Sequence, residues 1–285
     1  MVKNLVSRGG ANVNQTSPKG CTPLIYAGRG GYSEVVEYLL EHKASPLKQD
    51  NAGGTVLHHA IEKTHINVLE SMLAMGVDVY SAIEIADNAG RTPIFEAVEN
   101  LDGNTDDTEA IRIIQILCKS KKENGFGANP NVINYNGQTP MFSAARQGSL
   151  PAIEALKDAG ALADHNSGEL VKPDDDIGDD DEAESLQEKY FMEAFKNCMT
   201  PLHVAVVLGY EEIALFLVKN CNADVNLQTN SKKYTPLHLC VLSNKPEMIM
   251  ELLGKTQADP MLDDSEGRAL LDMVFKYMPS YVETF

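Results

Sequence analysis

The sequence predicts an all-α stack of repeated helix pairs, and three observations carry that prediction. A six-residue phrase returns down the chain as Thr22-Pro23-Leu24-Ile25-Tyr26-Ala27, Thr55-Val56-Leu57-His58-His59-Ala60, Thr92-Pro93-Ile94-Phe95-Glu96-Ala97 and Thr139-Pro140-Met141-Phe142-Ser143-Ala144. It recurs as Thr200-Pro201-Leu202-His203-Val204-Ala205 and Thr235-Pro236-Leu237-His238-Leu239-Cys240, then fades into Ala269-Leu270-Leu271-Asp272. The interval from Thr22 to Thr55 is 33 residues, and the intervals from Thr139 to Thr200 and from Thr200 to Thr235 are 61 and 35. Downstream of the phrase, Val35-Val36 with Leu39-Leu40, Ile213 with Leu217-Val218, and Met248-Ile249 with Leu252-Leu253 keep the spacing of a helix with one buried stripe. A fixed period of this size means stacked units, each contacting only its neighbours.

Each position in the phrase has a physical reason. A threonine hydroxyl can accept from the N–H groups left open at a helix start. Proline suits the first helical position, where its missing N–H costs nothing. Leucine points inward, and the small alanine lets neighbouring first helices approach. The phrase resembles the signature of the ankyrin repeat, T-P-L-H-x-A at a period near 33. That resemblance implies an all-α ankyrin-repeat solenoid of stacked helix-turn-helix units with β-turn fingers. His58, His203 and His238 are then local hydrogen-bonding residues of the turn rather than metal ligands. Gly160-Ala161 and Asn222-Ala223-Asp224-Val225-Asn226 resemble the closing turn, where glycine or asparagine tolerates positive φ. Met72 and Met75 read as flexible core filler.

The array reads as one domain, 1–285. Its units lie near 1–18 (partial), 19–51, 52–88, 89–136, 137–165, 198–231, 232–265 and 266–285 (partial). Thr55 to Thr92 is 37 residues, which places a short insertion around Tyr80 to Ile85. Thr92 to Thr139 is 47, with the excess divided between Asp102–Asp107 and the loop Lys119–Pro130. The largest insertion, 166–197, carries eight carboxylates and no basic residue between Pro173 and Glu184. Such a run repels itself and is expected to be partly disordered. It ends in Ser185–Asn197, where Ser185 and Glu188 form a capping-box pattern ahead of Leu186, Tyr190, Phe191 and Phe195, so a short helix is expected. Met1-Val2 aligns with Val35-Val36, and Tyr281 falls where an outer helix should begin; neither end has a polar cap. The expectation is a section of a longer array, the alternative a chain with unusual half-repeat ends.

Composition narrows the function. The net charge of −17 disfavours nucleic acid, whose phosphates draw affinity from cationic side chains. The longest apolar stretches are far shorter than the roughly 18 residues that span a membrane, so no direct membrane insertion is expected. Five cysteines without C-x-x-C spacing indicate neither a disulfide framework nor zinc. A calcium loop needs glycine at its sixth position and glutamate at its twelfth. Counting from Asp174 these are Asp179 and Ser185, and from Asp102 they are Asp107 and Ile113, so both fail. No phosphate loop, nucleophile elbow or H-E-x-x-H pair is present. Hence no catalytic residue, metal or cofactor is assigned, and the chain is not expected to be an enzyme.

The resemblance implies a non-catalytic interaction module or scaffold, monomeric and cytoplasmic (a nuclear location is also compatible), that binds a protein of unknown identity. The alternative is a targeting or regulatory domain of a larger enzyme or a membrane channel. Family members present their concave face and turn tips. Carried over by position, one row is Tyr26, His59, Glu96, Ser143, Val204 and Leu239. A second, three residues on, is Arg29, Glu62, Glu99, Arg146, Val207 and Leu242. Val204, Val207, Leu239 and Leu242 are expected to form an exposed apolar patch, which usually marks an interaction site, unless the 166–197 insertion covers it as a lid. The turn tips offer Lys48, Gln49, Asp50, Asn51, Asp87, Asn88, Tyr135, Asn136, Gln228, Thr229, Asn230, Asp263 and Asp264, which are also ordinary turn formers.

Overall fold

A computed structural model describes residues 10–76, 79–101, 108–119, 125–164, 199–230 and 232–284. All regular structure among them is helical. The helices are α1 (Pro23–Arg29), α2 (Ser33–Glu41), α3 (Val56–Glu62), α4 (Ile66–Met75), α5 (Val79–Ala82), α6 (Pro93–Glu99) and α7 (Thr108–Cys118). They continue as α8 (Pro140–Gln147), α9 (Leu150–Asp158), α10 (Pro201–Leu208), α11 (Glu211–Asn220), α12 (Pro236–Leu242), α13 (Pro246–Lys255) and α14 (Leu270–Tyr277). A 3₁₀ segment, Pro279–Thr284, follows. The chain divides into two compact units, Met1–Tyr135 with Glu154–Gly160, and Asn136–Ile153 with Ala161–Phe285. The acidic insertion and its expected helix lie outside the described residues.

Each recurring phrase starts a first helix. Thr22 and Thr139 accept from the N–H of Ile25 (3.2 Å) and Phe142 (3.1 Å), as the capping argument requires. Where histidine stands three residues after threonine, the cap is reciprocal. The backbone N–H groups of Thr55, Thr200 and Thr235 donate to Nδ1 of His58, His203 and His238 at 3.1, 3.2 and 3.1 Å. An Nδ1 that accepts leaves the proton on Nε2. Those Nε2 groups donate to the carbonyls of Arg91, Leu227 and Arg268 in the following finger, at 3.0, 3.0 and 3.1 Å. His58 and His238 therefore tie one repeat to the next, while His203 reaches Leu227 of its own unit; all three go beyond the local turn. Thr92 departs from the rule: its buried hydroxyl has no partner.

Stacking follows the period. In the first unit α1 packs on α3, α3 on α6, and α2 on α4. In the second, α10 packs between α8 and α12, α12 on α14, and α11 on α13. Leu24, Leu57 and Ile94 are at most 1% exposed, as are Leu202 and Leu237. Burying such a side chain contributes roughly 1.5–3 kcal/mol. On the second helices Val36, Leu39, Ile213, Leu217, Met248, Ile249 and Leu252 form the buried stripe, joined by Met72. Met75 instead lines an open cleft. Gly160 (φ 88°) and Asn222 (φ 56°) hold the left-handed turns expected of them.

Neighbouring fingers are joined through their backbones. The N–H of Asn51 donates to Lys19 O, that of Asn88 to Ala52 O and that of Tyr135 to Ala89 O, at 3.0, 3.1 and 3.1 Å. The insertion near Tyr80 forms α5, followed by buried Ile83. Within the loop Lys119–Pro130, Phe126 is fully buried, edge-on to Tyr80 at 6.4 Å, and its N–H donates to Ile116 O at 3.1 Å.

Candidate protein-binding surface

The first unit presents its row as a charged, partly exposed surface. Tyr26 is 49% exposed, with its hydroxyl 3.3 Å from Ser17 Oγ, and Arg29 beside it is exposed. His59 lies between two carboxylates, with Nε2 2.8 Å from Asp50 Oδ2 and Nδ1 3.2 Å from Glu62 Oε2. Carboxylates only accept, so each contact needs a ring N–H on His59. Arg91 donates twice to Asp87 Oδ2 (2.9 and 2.7 Å) and once to Glu99 Oε2 (2.6 Å), while Glu96 stands 3.8 Å away. Lys63 reaches Glu62 at 2.7 Å.

Electrostatics follow from these contacts. Burial works to raise the carboxyl of Asp50, but His59 and the N–H groups of Gly54 and Ala52 outweigh it and hold it below the usual range. Asp87 is likewise lowered because Arg91 overcomes burial. Glu96 goes the other way: burial raises it, and Glu99, Glu62 and Asp87 add like-charge repulsion against the opposing pull of Arg91. The arrangement is an acidic surface locked around one guanidinium.

In the second unit the row is closed. Val204, Val207, Leu239 and Leu242 are 2%, 7%, 3% and 9% exposed, so the expected exposed apolar patch is not found. α10 and α12 pack side by side. Ser143 is also fully buried and its hydroxyl has no partner, while Arg146 is half-buried. The expected lid concerns residues outside those described.

Most turn-tip side chains hold the fingers themselves. Asp50, Asp87 and Asp264 each accept two backbone N–H bonds within their own turn. Gln49 donates to Ala86 O at 2.9 Å and Gln228 to Asp263 O at 2.8 Å, bridging adjacent fingers. Tyr135, 60% exposed, remains open to solvent at its tip. Sequence reasoning overlooked a cleft of about 520 Å³ in the first unit, lined by Leu40, Ala44, Pro46, Leu47 and Met75 among others. Its only sequence signal was the second methionine of α4.

Among the described residues no group of acidic, histidine and cysteine side chains could hold a metal, and no helix is long and apolar enough to cross a membrane. A family model described as ankyrin repeats (3 copies) matches residues 1–83 and 178–264. The chain belongs to the ankyrin-repeat family. It is similar to palmitoyltransferase AKR1 of Lachancea kluyveri, with 29% identity over 56% of this chain and 20% of that protein. It is 41% identical to the putative ankyrin repeat protein L92 of Acanthamoeba polyphaga mimivirus over 39% of this chain and 24% of that protein. Mouse neurogenic locus notch homolog protein 1 shares 27% identity over 80% of this chain but 8% of its own length. The chain thus spans no more than about a quarter of these relatives. The human ASB11 ankyrin repeat domain shares the fold, with a TM-score of 0.59 at 19% identity, over 89% of this chain and 91% of that domain. The all-α ankyrin solenoid read from the sequence is therefore the fold, and ankyrin repeats are generally protein-interaction modules.

Proposed function

We propose that the chain is a single ankyrin-repeat domain, 1–285, that serves as a non-catalytic scaffold holding a partner protein. The observation that carries this is the first unit's exposed row. There Tyr26 and Arg29 stand open beside the Asp50–His59–Glu62 and Asp87–Arg91–Glu99 networks, which fix the positions of the neighbouring charges. Pre-positioned charges favour on-rate and discrimination more than raw affinity, so the surface suits a partner with a basic, aromatic-accepting face. Ser143, Arg146, Val204, Val207, Leu239 and Leu242 would contribute only where the second unit opens. A cytoplasmic or nuclear setting fits this reading.

A second reading has one observation in its favour. One relative is a palmitoyltransferase of which this chain matches only 20%. The domain would then be a targeting or regulatory part of a larger enzyme or channel.

The test is affinity capture with the chain as bait, beside Tyr26→Ala/Arg29→Glu and Glu62→Lys/Glu99→Lys. Loss of the same captured protein from both variants, with helical content kept, supports the surface. Retention by both would move the binding site elsewhere.

A further inference from the structure

The first helices of the first unit, α1, α3 and α6, stack in that order. Counted from the threonine, the fifth and eighth residues of their phrases share one face. His59 Nδ1 lies 3.2 Å from Glu62 Oε2, and Arg91 stands 3.8 Å from Glu96 and 2.6 Å from Glu99. Across the stack this face presents Tyr26 with Arg29, then His59 with Glu62, then Glu96 with Glu99.

The charge along it changes sign once. Arg29 is exposed and makes no ion pair among the described residues. Over α3 and α6, the carboxylates of Asp50, Glu62, Asp87, Glu96 and Glu99 outnumber the cations His59, Lys63 and Arg91, even with His59 counted as charged. Glu96 is the plainest case: it is half-buried, accepts no hydrogen bond among the described residues, and has its cation no nearer than 3.8 Å. The order is therefore positive, negative, negative.

Packed helices stand about 8–10 Å apart, and the three charges recur at that spacing. A polyproline II segment has three residues per turn and rises about 3.1 Å per residue, so every third side chain returns to one face after about 9 Å. An extended strand returns a side chain to one face at about 6.6 or 13 Å, which misses the spacing. An α-helix does so after seven residues, at about 10.5 Å, which overshoots it. Proline-rich chains of this kind dock on aromatic side chains, and Tyr26, 49% exposed, stands at the start of the row.

Resting on the scaffold reading above, we propose that this face takes a polyproline II peptide in which every third residue is charged. The order is acidic, basic, basic, set against Arg29, Glu62 and the Glu96–Glu99 pair.

The test is fluorescence anisotropy of the full chain with labelled heptapeptides at low salt. The probe is Asp-Pro-Pro-Lys-Pro-Pro-Lys, used in both sequence directions because the face fixes the charge order and not the chain direction. One direction should bind roughly tenfold or more tighter than Lys-Pro-Pro-Asp-Pro-Pro-Lys, which has the same composition and net charge. Arg29→Glu, a change at an exposed side chain, should abolish that preference and favour Lys-Pro-Pro-Lys-Pro-Pro-Lys instead. No binding, or equal binding of the matched and centre-acidic peptides, overturns the proposal. So does an unchanged preference in Arg29→Glu, or tighter binding of a helical peptide with the same charges seven residues apart. A protein capture that Tyr26→Ala/Arg29→Glu still abolishes, beside peptides with no order preference, would overturn this peptide chemistry and leave the scaffold reading standing.

Discussion

At the scale of single residues, two buried titratable groups pull stability in opposite directions with pH. His203 is held neutral by burial, which pushes its pKa down to about 4 against the small opposing effect of its carbonyl partners. The unfolded chain binds that proton more readily, so the stabilisation is complete above about 6.5 and is lost as pH falls toward 4. A shift of that size is worth on the order of 3 kcal/mol. Urea denaturation should show a steep loss of stability across this window, and His203→Gln should flatten it. Asp164 behaves oppositely. In other closing turns an asparagine bridges to the next turn: Asn14 accepts from Ser45 N–H and donates to Lys43 O, and Asn226 accepts from Asp259 N–H and donates to Gln257 O. Asp164 accepts from Asp224 N–H at 2.8 Å, but a carboxylate cannot donate, and its Oδ1 is buried without a partner. Burial raises its pKa, so the strain is present at neutral pH and is relieved as pH falls through the raised pKa, completely once the ordinary carboxylate value is reached. Asp164→Asn should stabilise by about 1 kcal/mol at pH 7, by supplying the missing donor, and by less at pH 4. Equal effects at both pH values would dissociate the site from its charge.

At the scale of elements, the finger at Asp50 solves a shared problem with a different residue. In the fingers at Asp87 and Asp264, the carboxylate is clamped by an arginine four residues on, Arg91 or Arg268. The corresponding residue after Asp50 is Gly54, and His59 reaches back from α3 to take the same oxygen at 2.8 Å. His59→Ala should cost about 1.5–3 kcal/mol, the range for a hydrogen bond to a charged group. Adding Gly54→Arg should recover part of it, since a side chain at 54 would otherwise meet His59 Nε2 at 3.0 Å. Thermal unfolding of the single and double variants checks this, and failure of the arginine to recover any stability would show that the clamp is not transferable. Such pairings explain what was legible in the sequence and what was not. First helices, caps and the buried stripe repeat at a fixed period and could be read. His59 sits in an exposed-row position, and only the absence of an arginine at 54 hinted that it was already committed. Phe126 lay in an insertion with no repeat to align it, so its burial against Tyr80 had no periodic signal. The apolar character of Val204, Val207, Leu239 and Leu242 was plain, but their burial depends on what packs around them, which composition does not encode.

At the scale of the whole molecule, the net charge of −17 sets the response to salt. Like charges held on one folded chain repel one another and oppose compaction. In the first unit the carboxyl of Glu96 is raised chiefly by burial, with like-charge repulsion from Glu99, Glu62 and Asp87 adding to it against the pull of Arg91. The attractive pairs among the described residues are local: Arg91 and Arg268 hold their aspartates at 2.7 and 2.6 Å, a separation over which added salt screens little. Raising ionic strength from about 10 mM to about 0.1 M shortens the screening length from about 30 Å to about 10 Å, which removes mainly the long-range repulsion. The unfolding midpoint should therefore rise with salt, by about 2–4 °C if the relief is worth about 1 kcal/mol. Glu96→Gln, which removes a buried carboxylate crowded by others, should raise the midpoint at low salt and reduce its further increase. Differential scanning calorimetry at a series of salt concentrations measures both slopes. A midpoint that falls with salt would mean that the close ion pairs outweigh the net charge.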